Sequence, residues 1–176
     1  MTFLRLACSW LLLGTLLTVA AGCREADTAA IPPVEPPAEP ASVRLLPAAV
    51  TYGVGESVVV EVRIDNATHV GSITFRLRYD GVVLEYIRGV EGTFMSSDGS
   101  RTLFLASPTA GDEIAVALSR LDGNQGASGS SLIVTLEFQA VAPGDAGLAF
   151  TEGRVKDPQA RNLPAIFRSV PVLVVP

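Results

Sequence analysis

Few side chains in this 176-residue sequence could make or break a covalent bond: two cysteines, Cys8 and Cys23, and a single histidine, His69. His69 lies in the polar stretch DNATH, residues 65–69, where a lone imidazole reads as solvated surface. No Gly-x-Ser-x-Gly, paired-histidine metal motif or phosphate loop occurs. The Gly-rich run GASGSS, residues 126–131, precedes an alternating strand pattern, so no helix N-terminus stands behind it to hold phosphate. Asp122 and Asn124 in DGNQG are two apart, but the acidic ligands that complete a calcium loop are missing, which makes a solvated turn the expectation. Asp157, ahead of Pro158, reads as a turn former, and the sequon Asn66-Ala67-Thr68 carries no assigned role. The chain is therefore expected to have no catalytic residue, no metal site and no cofactor.

Cys23 is the exception, because of what precedes it. Arg5 is the only charge before an apolar run at 11–17, which gives way to Ala20, Ala21 and Gly22. A charged n-region, an h-region and a small-residue cleavage site make an export signal, not a spanning helix. VAAGC, residues 19–23, resembles the lipobox of bacterial lipoproteins, with Ala20 where that family most often has Leu; a plain secretory signal ending in Gly-Cys is the alternative. The resemblance implies removal of residues 1–22, a diacylglycerol on the Cys23 thiol and attachment to a membrane of the bacterial cell envelope. Each buried methylene contributes about 0.8 kcal/mol to such an anchor. Arg24, instead of Asp, follows the cysteine, which in enteric bacteria favours the outer membrane over the inner.

With Cys8 in the removed segment and Cys23 lipidated, the mature part has no thiol left for a disulfide or a nucleophile. Residues 23–41 contain Pro32, Pro33, Pro36, Pro37 and Pro40 and no apolar period. They read as a tether from Cys23, extended at about 3.1 Å per residue if polyproline II, or as an unordered leftover. Residues 42–176 form one domain, long enough to bury a core. Because Arg5 is the only charge before Cys23, 12 basic face 18 acidic residues beyond it, with no basic cluster, so nucleic-acid binding is excluded.

From residue 42 the hydrophobic period is two. Val58, Val60, Val62 and Ile64 share one face, as do Ile73, Phe75, Leu77 and Tyr79, then Ile114, Val116 and Leu118, then Leu132, Val134, Leu136 and Phe138. Further strands are expected at 43–46, 84–90, 102–106, 146–150 and 170–175, and no helical period survives a Gly or Pro interruption. Nine such strands specify an all-β, nine-stranded antiparallel β-sandwich with jelly-roll topology.

From Gly55 onward the motifs follow a particular order: Gly55, then Tyr79, Asp80, Leu84 and Glu85 of a Tyr-Asp-x-x-x-Leu-Glu signature. After them come Gly126, Ser128 and Gly129 of a Gly-rich turn, Leu136 and Phe138 of a Leu-x-Phe strand, and Val155 and Asp157. This order resembles the cohesin domain family. The resemblance implies a non-catalytic module that binds another protein, and with the lipobox it implies a membrane-anchored one at the envelope. In the family one flat sheet docks a small calcium-loaded helical module, the dockerin, and polar outward residues before Tyr-Asp make contacts. By position these are Ser72, Thr74 and Arg76, and the outward residues of the neighbouring strands are Ala115, Ala117, Ser119, Thr135 and Glu137. The resemblance also reads Asp80 and Gly81 as a crossover between sheets, although Asp-Gly alone would make a hairpin and Gly81 stands where the family usually has Pro. The alternative function is a carbohydrate-binding module acting on polysaccharide, since several such families share the sandwich. Its usual aromatic platform is not evident, the only Trp being Trp10 in the leader.

Overall fold

The computed structural model describes residues 39–122 and 125–176. The expected signal segment, Cys23, the tether as far as residue 38, and Asn124 lie outside the described residues.

Among the described residues thirteen strand segments follow one another: β1 (Ala41–Pro47), β2 (Thr51–Gly53), β3 (Ser57–Val70), β4 (Ser72–Arg78), β5 (Leu84–Glu91), β6 (Thr102–Thr109), β7 (Glu113–Arg120), β8 (Ala127–Ala140), β9 (Gly144–Asp145), β10 (Ala149–Lys156), β11 (Asn162–Leu163), β12 (Ala165–Arg168) and β13 (Leu173–Val175). Two five-stranded sheets result, a first of order β12-β1-β3-β8-β5 and a second of order β11-β10-β4-β7-β6, with a small β2-β13-β9 sheet beside them. The all-β sandwich is thus as the periodicity reads. Two pairings are parallel, β1 with β12 and β2 with β13, because these C-terminal segments return across the domain instead of closing hairpins: β12 covers the edge of the first sheet at β1, and β13 lies between β2 and β9. The segment expected at 146–150 begins instead at Ala149 and runs to Lys156. Gly153 hides that strand from a propensity reading. A Cβ there would sit 2.4 Å from the Phe167 ring, so the ring lies directly on the strand's backbone.

Alternation decides the interior. Val58, Val60, Val62 and Ile64 from the first sheet and Ile73, Phe75, Leu77, Ile114, Val116 and Leu118 from the second are all buried. Burying a Val, Leu, Ile or Phe contributes about 1.5–3 kcal/mol each. Leu132 is only half-buried, because register shifts in the β3–β8 ladder turn it partly outward while Ile133 goes in.

Those shifts also revise the polar stretch 65–69. It is the bulged end of β3, not a turn: Asn66 and His69 adopt left-handed φ of 55°, and their amides donate to the hydroxyls of Ser130 (3.1 Å) and Ser128 (2.8 Å). The Gly-rich run is correspondingly the start of β8, supplying acceptors to amides that the bulges remove from the ladder. One residue, Gly71, then carries the chain from the first sheet to the second. A Cβ on it would meet the Pro158 backbone nitrogen at 2.6 Å.

The crossover at Asp80 and Gly81 is present. Neither residue has the positive φ that a type I′ hairpin turn demands. Asp80 Oδ1 accepts from the Val82 amide (2.8 Å), its carbonyl from those of Val83 and Leu84, and its own amide donates to Ala146. The chain thereby leaves β4 in the second sheet and enters β5 in the first, with Leu84 fully buried.

Candidate partner-binding face

The outward side of the second sheet is laid out by register. Ser72 faces Ser119, Thr74 faces Ala117 and Arg76 faces Ala115 across β4 and β7, so six of the eight expected contact residues form three cross-strand pairs on one surface. On the β6 side the rows continue with Leu103, Leu105 and Ser107, and on the β10 side with Lys156, Arg154 and Glu152. Alternate residues of these strands are buried, which is why the small and polar set points to water. Thr74, Arg76, Leu105, Ala115, Ala117 and Arg154 line a shallow depression of about 190 Å³ at its centre.

Thr135 and Glu137 do not belong to this surface. They lie on β8 in the first sheet, on the opposite side of the sandwich. Period two shows which residues of β8 point outward but not which sheet β8 joins, and the β7–β8 connection crosses between sheets just as the corner at Asp80 does.

The two outer faces differ in chemistry. That of the first sheet is covered by ion pairs: Arg44 with Asp65 (2.8 Å), Arg63 with Glu61 (3.4 Å) and Arg88 with Glu137 (2.8 Å). The hydrogen bond from Arg88 holds the Glu137 carboxyl below its usual range. On the second sheet Arg76 lies 3.4 Å from Glu113 and 3.9 Å from Glu152, while β7 contributes only Ala, Ala and Ser to the middle of the face. A surface of short side chains loses little conformational entropy when covered.

Residues flagged for other chemistry have structural partners. Asp122 accepts from the Arg101 backbone amide and from Arg101 Nε, and the nearly buried guanidinium of Arg120 donates to Asp98 and Ser100. These pairs tie the 93–101 loop to the end of β7. The hydrogen bond from Arg120 draws the Asp98 carboxyl far down. Asp157 is buried; it accepts the amides of Gln159 and Arg161 at 2.9 Å each and the Arg161 guanidinium at 2.6 Å, closing the turn after β10. His69 is exposed on the bulge. Gly129, in the left-handed region at φ 109°, pairs with Ala67 across the same irregular ladder. Every Phe and Tyr ring among the described residues is buried or half-buried, Tyr79 and Tyr86 both packing against Phe138, so none forms an open platform for a sugar ring.

Sequence reasoning missed the flanks of this face: Leu103 and Leu105 on β6, and Arg154, Lys156 and Glu152 on β10. In β6 both alternating sets are largely apolar, Leu103 and Leu105 against Phe104 and Ala106, so period alone does not say which faces water. Leu103 and Leu105 prove to be 62% and 54% exposed.

Comparison with known proteins agrees with this architecture. Residues 45–157 match the family model described as the cohesin domain. Among solved structures, a non-cellulosomal cohesin from the hyperthermophilic archaeon Archaeoglobus fulgidus is similar at 21% identity and TM-score 0.61, over 78% of this chain and 93% of that one. The second type II cohesin module of the ScaA scaffoldin of Acetivibrio cellulolyticus reaches TM-score 0.67 at 9% identity, over 78% and 99%. The sixth cohesin of scaffoldin B from the same organism, solved in complex with a Cel5 dockerin, gives 0.60 at 18%, over 77% and 98%. No curated protein shows significant similarity to the chain.

Proposed function

The chain belongs to the cohesin domain family, and from that membership we propose that it is a non-catalytic module that docks a dockerin-like protein on the outward face of its second sheet. The observation that carries the reading is the row structure of that face. Ser72, Thr74 and Arg76 stand opposite Ser119, Ala117 and Ala115, so that the outward side chains of β7 in the middle of the face are all short. Flat, low-entropy surfaces suit protein docking, and arginine is favoured at such contacts. Solved cohesins of the same fold occur in complexes with dockerins, which supports the class of partner. The first sheet's outer face, already matched charge to charge, is the poorer candidate.

The same proposal includes the membrane. Lipid on Cys23 would hold the domain at the bacterial cell envelope, with residues 24–41 as spacer; the VAAGC motif and the leader before it support this part.

A panel of recombinant dockerin modules offered to the full chain tests the docking step. At least one is expected to bind, and Ala117→Arg, which places a long cation in the middle of the face, is expected to abolish that binding. Binding that survives Ala117→Arg overturns the reading.

A further inference from the structure

The second sheet's outward face is cationic on its β10–β4 side and apolar on its β6 side, and that polarity specifies what can cover it. Arg76 is answered by Glu113 and Glu152. Arg78, Arg154 and Lys156, on β4 and β10, take part in no ion pair among the described residues. They stand on a chain whose formal net charge is −5 and which contains no other lysine. At the far edge, on β6, Leu103 and Leu105 expose more than half their surface. From β10 across β4 and β7 to β6, three interstrand steps of about 4.8 Å make the track roughly 14 Å wide. An α-helix with its side chains is about 10–12 Å across.

Resting on the docking reading above, we propose that the partner presents an amphipathic helix with carboxylates along one flank and apolar side chains along the other. Its acidic flank lies over Arg78, Arg154 and Lys156, and its apolar flank covers Leu103 and Leu105. Covering the two leucines removes apolar surface from water, and the carboxylates replace the hydration that the three cations lose as the helix approaches. The opposite orientation sets carboxylates against leucines and leaves the cations desolvated without a partner, so the face selects both the charge of the helix and its direction of approach.

Two designed three-helix bundles serve as probes, identical except that one exposed helix carries Glu along one flank in the first and Lys in the second, with Leu along the other flank in both. Offered to the immobilised full chain, the Glu bundle is expected to bind at least about tenfold more tightly, with the advantage shrinking as salt is raised. Arg154→Glu combined with Lys156→Glu is expected to reverse the preference, and Leu105→Asp to weaken both bundles. Equal binding of the two bundles, no binding of the Glu bundle, or a preference that survives the charge reversal overturns the inference. Polygalacturonate, an anionic polysaccharide without an apolar flank, binding as tightly as the Glu bundle also overturns it and assigns the cations to sugar. If dockerin capture is lost in Ala117→Arg while the charge reversal leaves the bundle preference unmoved, the docking reading stands and the polarity inference falls.

Discussion

The rings of Tyr79 and Phe138 lie 5.5 Å apart, centroid to centroid, although they come from opposite sheets: Tyr79 directly follows β4 and Phe138 sits in β8. Tyr86, at 5.7 Å, completes a trio that joins the two layers at the end where the chain crosses between them. Burial pushes both tyrosine hydroxyls above their ordinary pKa.

Phe138→Ala is therefore expected to cost about 3–5 kcal/mol, through lost burial and the cavity left between the sheets, and Phe75→Ala a similar amount. Thr74→Ala, on the outward face, should stay within about 0.5 kcal/mol. Urea unfolding of the three variants checks this; equal losses would mean that the faces are assigned wrongly.

Gly71 is the single residue between β3 and β4, and the Pro158 backbone occupies the place of its missing side chain. Gly71→Ala should cost about 1–3 kcal/mol, because neither backbone can retreat as a flexible side chain would. An unchanged melting temperature would show that the strand junction is looser than it looks.

Asp157 gives the stability a pH dependence of known sign. Burial raises its pKa, but the hydrogen bonds from the Arg161 amide and guanidinium and the Gln159 amide outweigh it, so the net shift is downward. A carboxylate whose folded pKa is depressed contributes stability above its unfolded pKa of about 3.9 and loses it as pH falls through the folded value. The protein should lose stability between neutral pH and pH values below about 4, and Asp157→Asn should lose less over the same interval. Chemical denaturation of both at the two pH values measures the difference, and identical pH slopes would remove Asp157 from the account.

The two sheet faces can be told apart by one substitution on each. Ala117→Arg and Thr135→Arg both add an exposed cation to a half-buried outward position, on the second and first sheet respectively. Loss of dockerin binding in the first variant only, with both melting temperatures near wild type, is the expected pattern. The reverse pattern would move the docking surface to the other side of the sandwich.

Cys23→Ser tests the anchor, since a serine hydroxyl is not the nucleophile that receives the lipid. Labelling with a fatty-acid probe should disappear and the protein should leave the membrane fraction. Unchanged membrane partition with a normal mature mass would remove Cys23 from the anchor.

Sequence by itself was enough to determine the fold class, the inward faces of β3, β4 and β7, and the motifs of the family. Alternation at Val58 to Ile64 and at Ile73 to Leu77 is a local property, and a strand that buries one face can satisfy it in only one way. Which strands lie side by side is not local. Thr135 has the same pattern of neighbours in sequence whichever sheet β8 enters, and the two apolar sets of β6 are told apart only when pairing with β7 puts Leu103 beside Ser119 on the outward face. Asp80 and Gly81 spell a hairpin by turn propensity, yet the chain crosses there, because burying Leu84 and bonding Asp80 to Ala146 in the assembled domain outweighs a two-residue preference. The composite surface of small, cationic and apolar rows exists only once β10, β4, β7 and β6 are hydrogen-bonded in that order, since strands far apart in sequence become neighbours through backbone pairing that side-chain period does not encode.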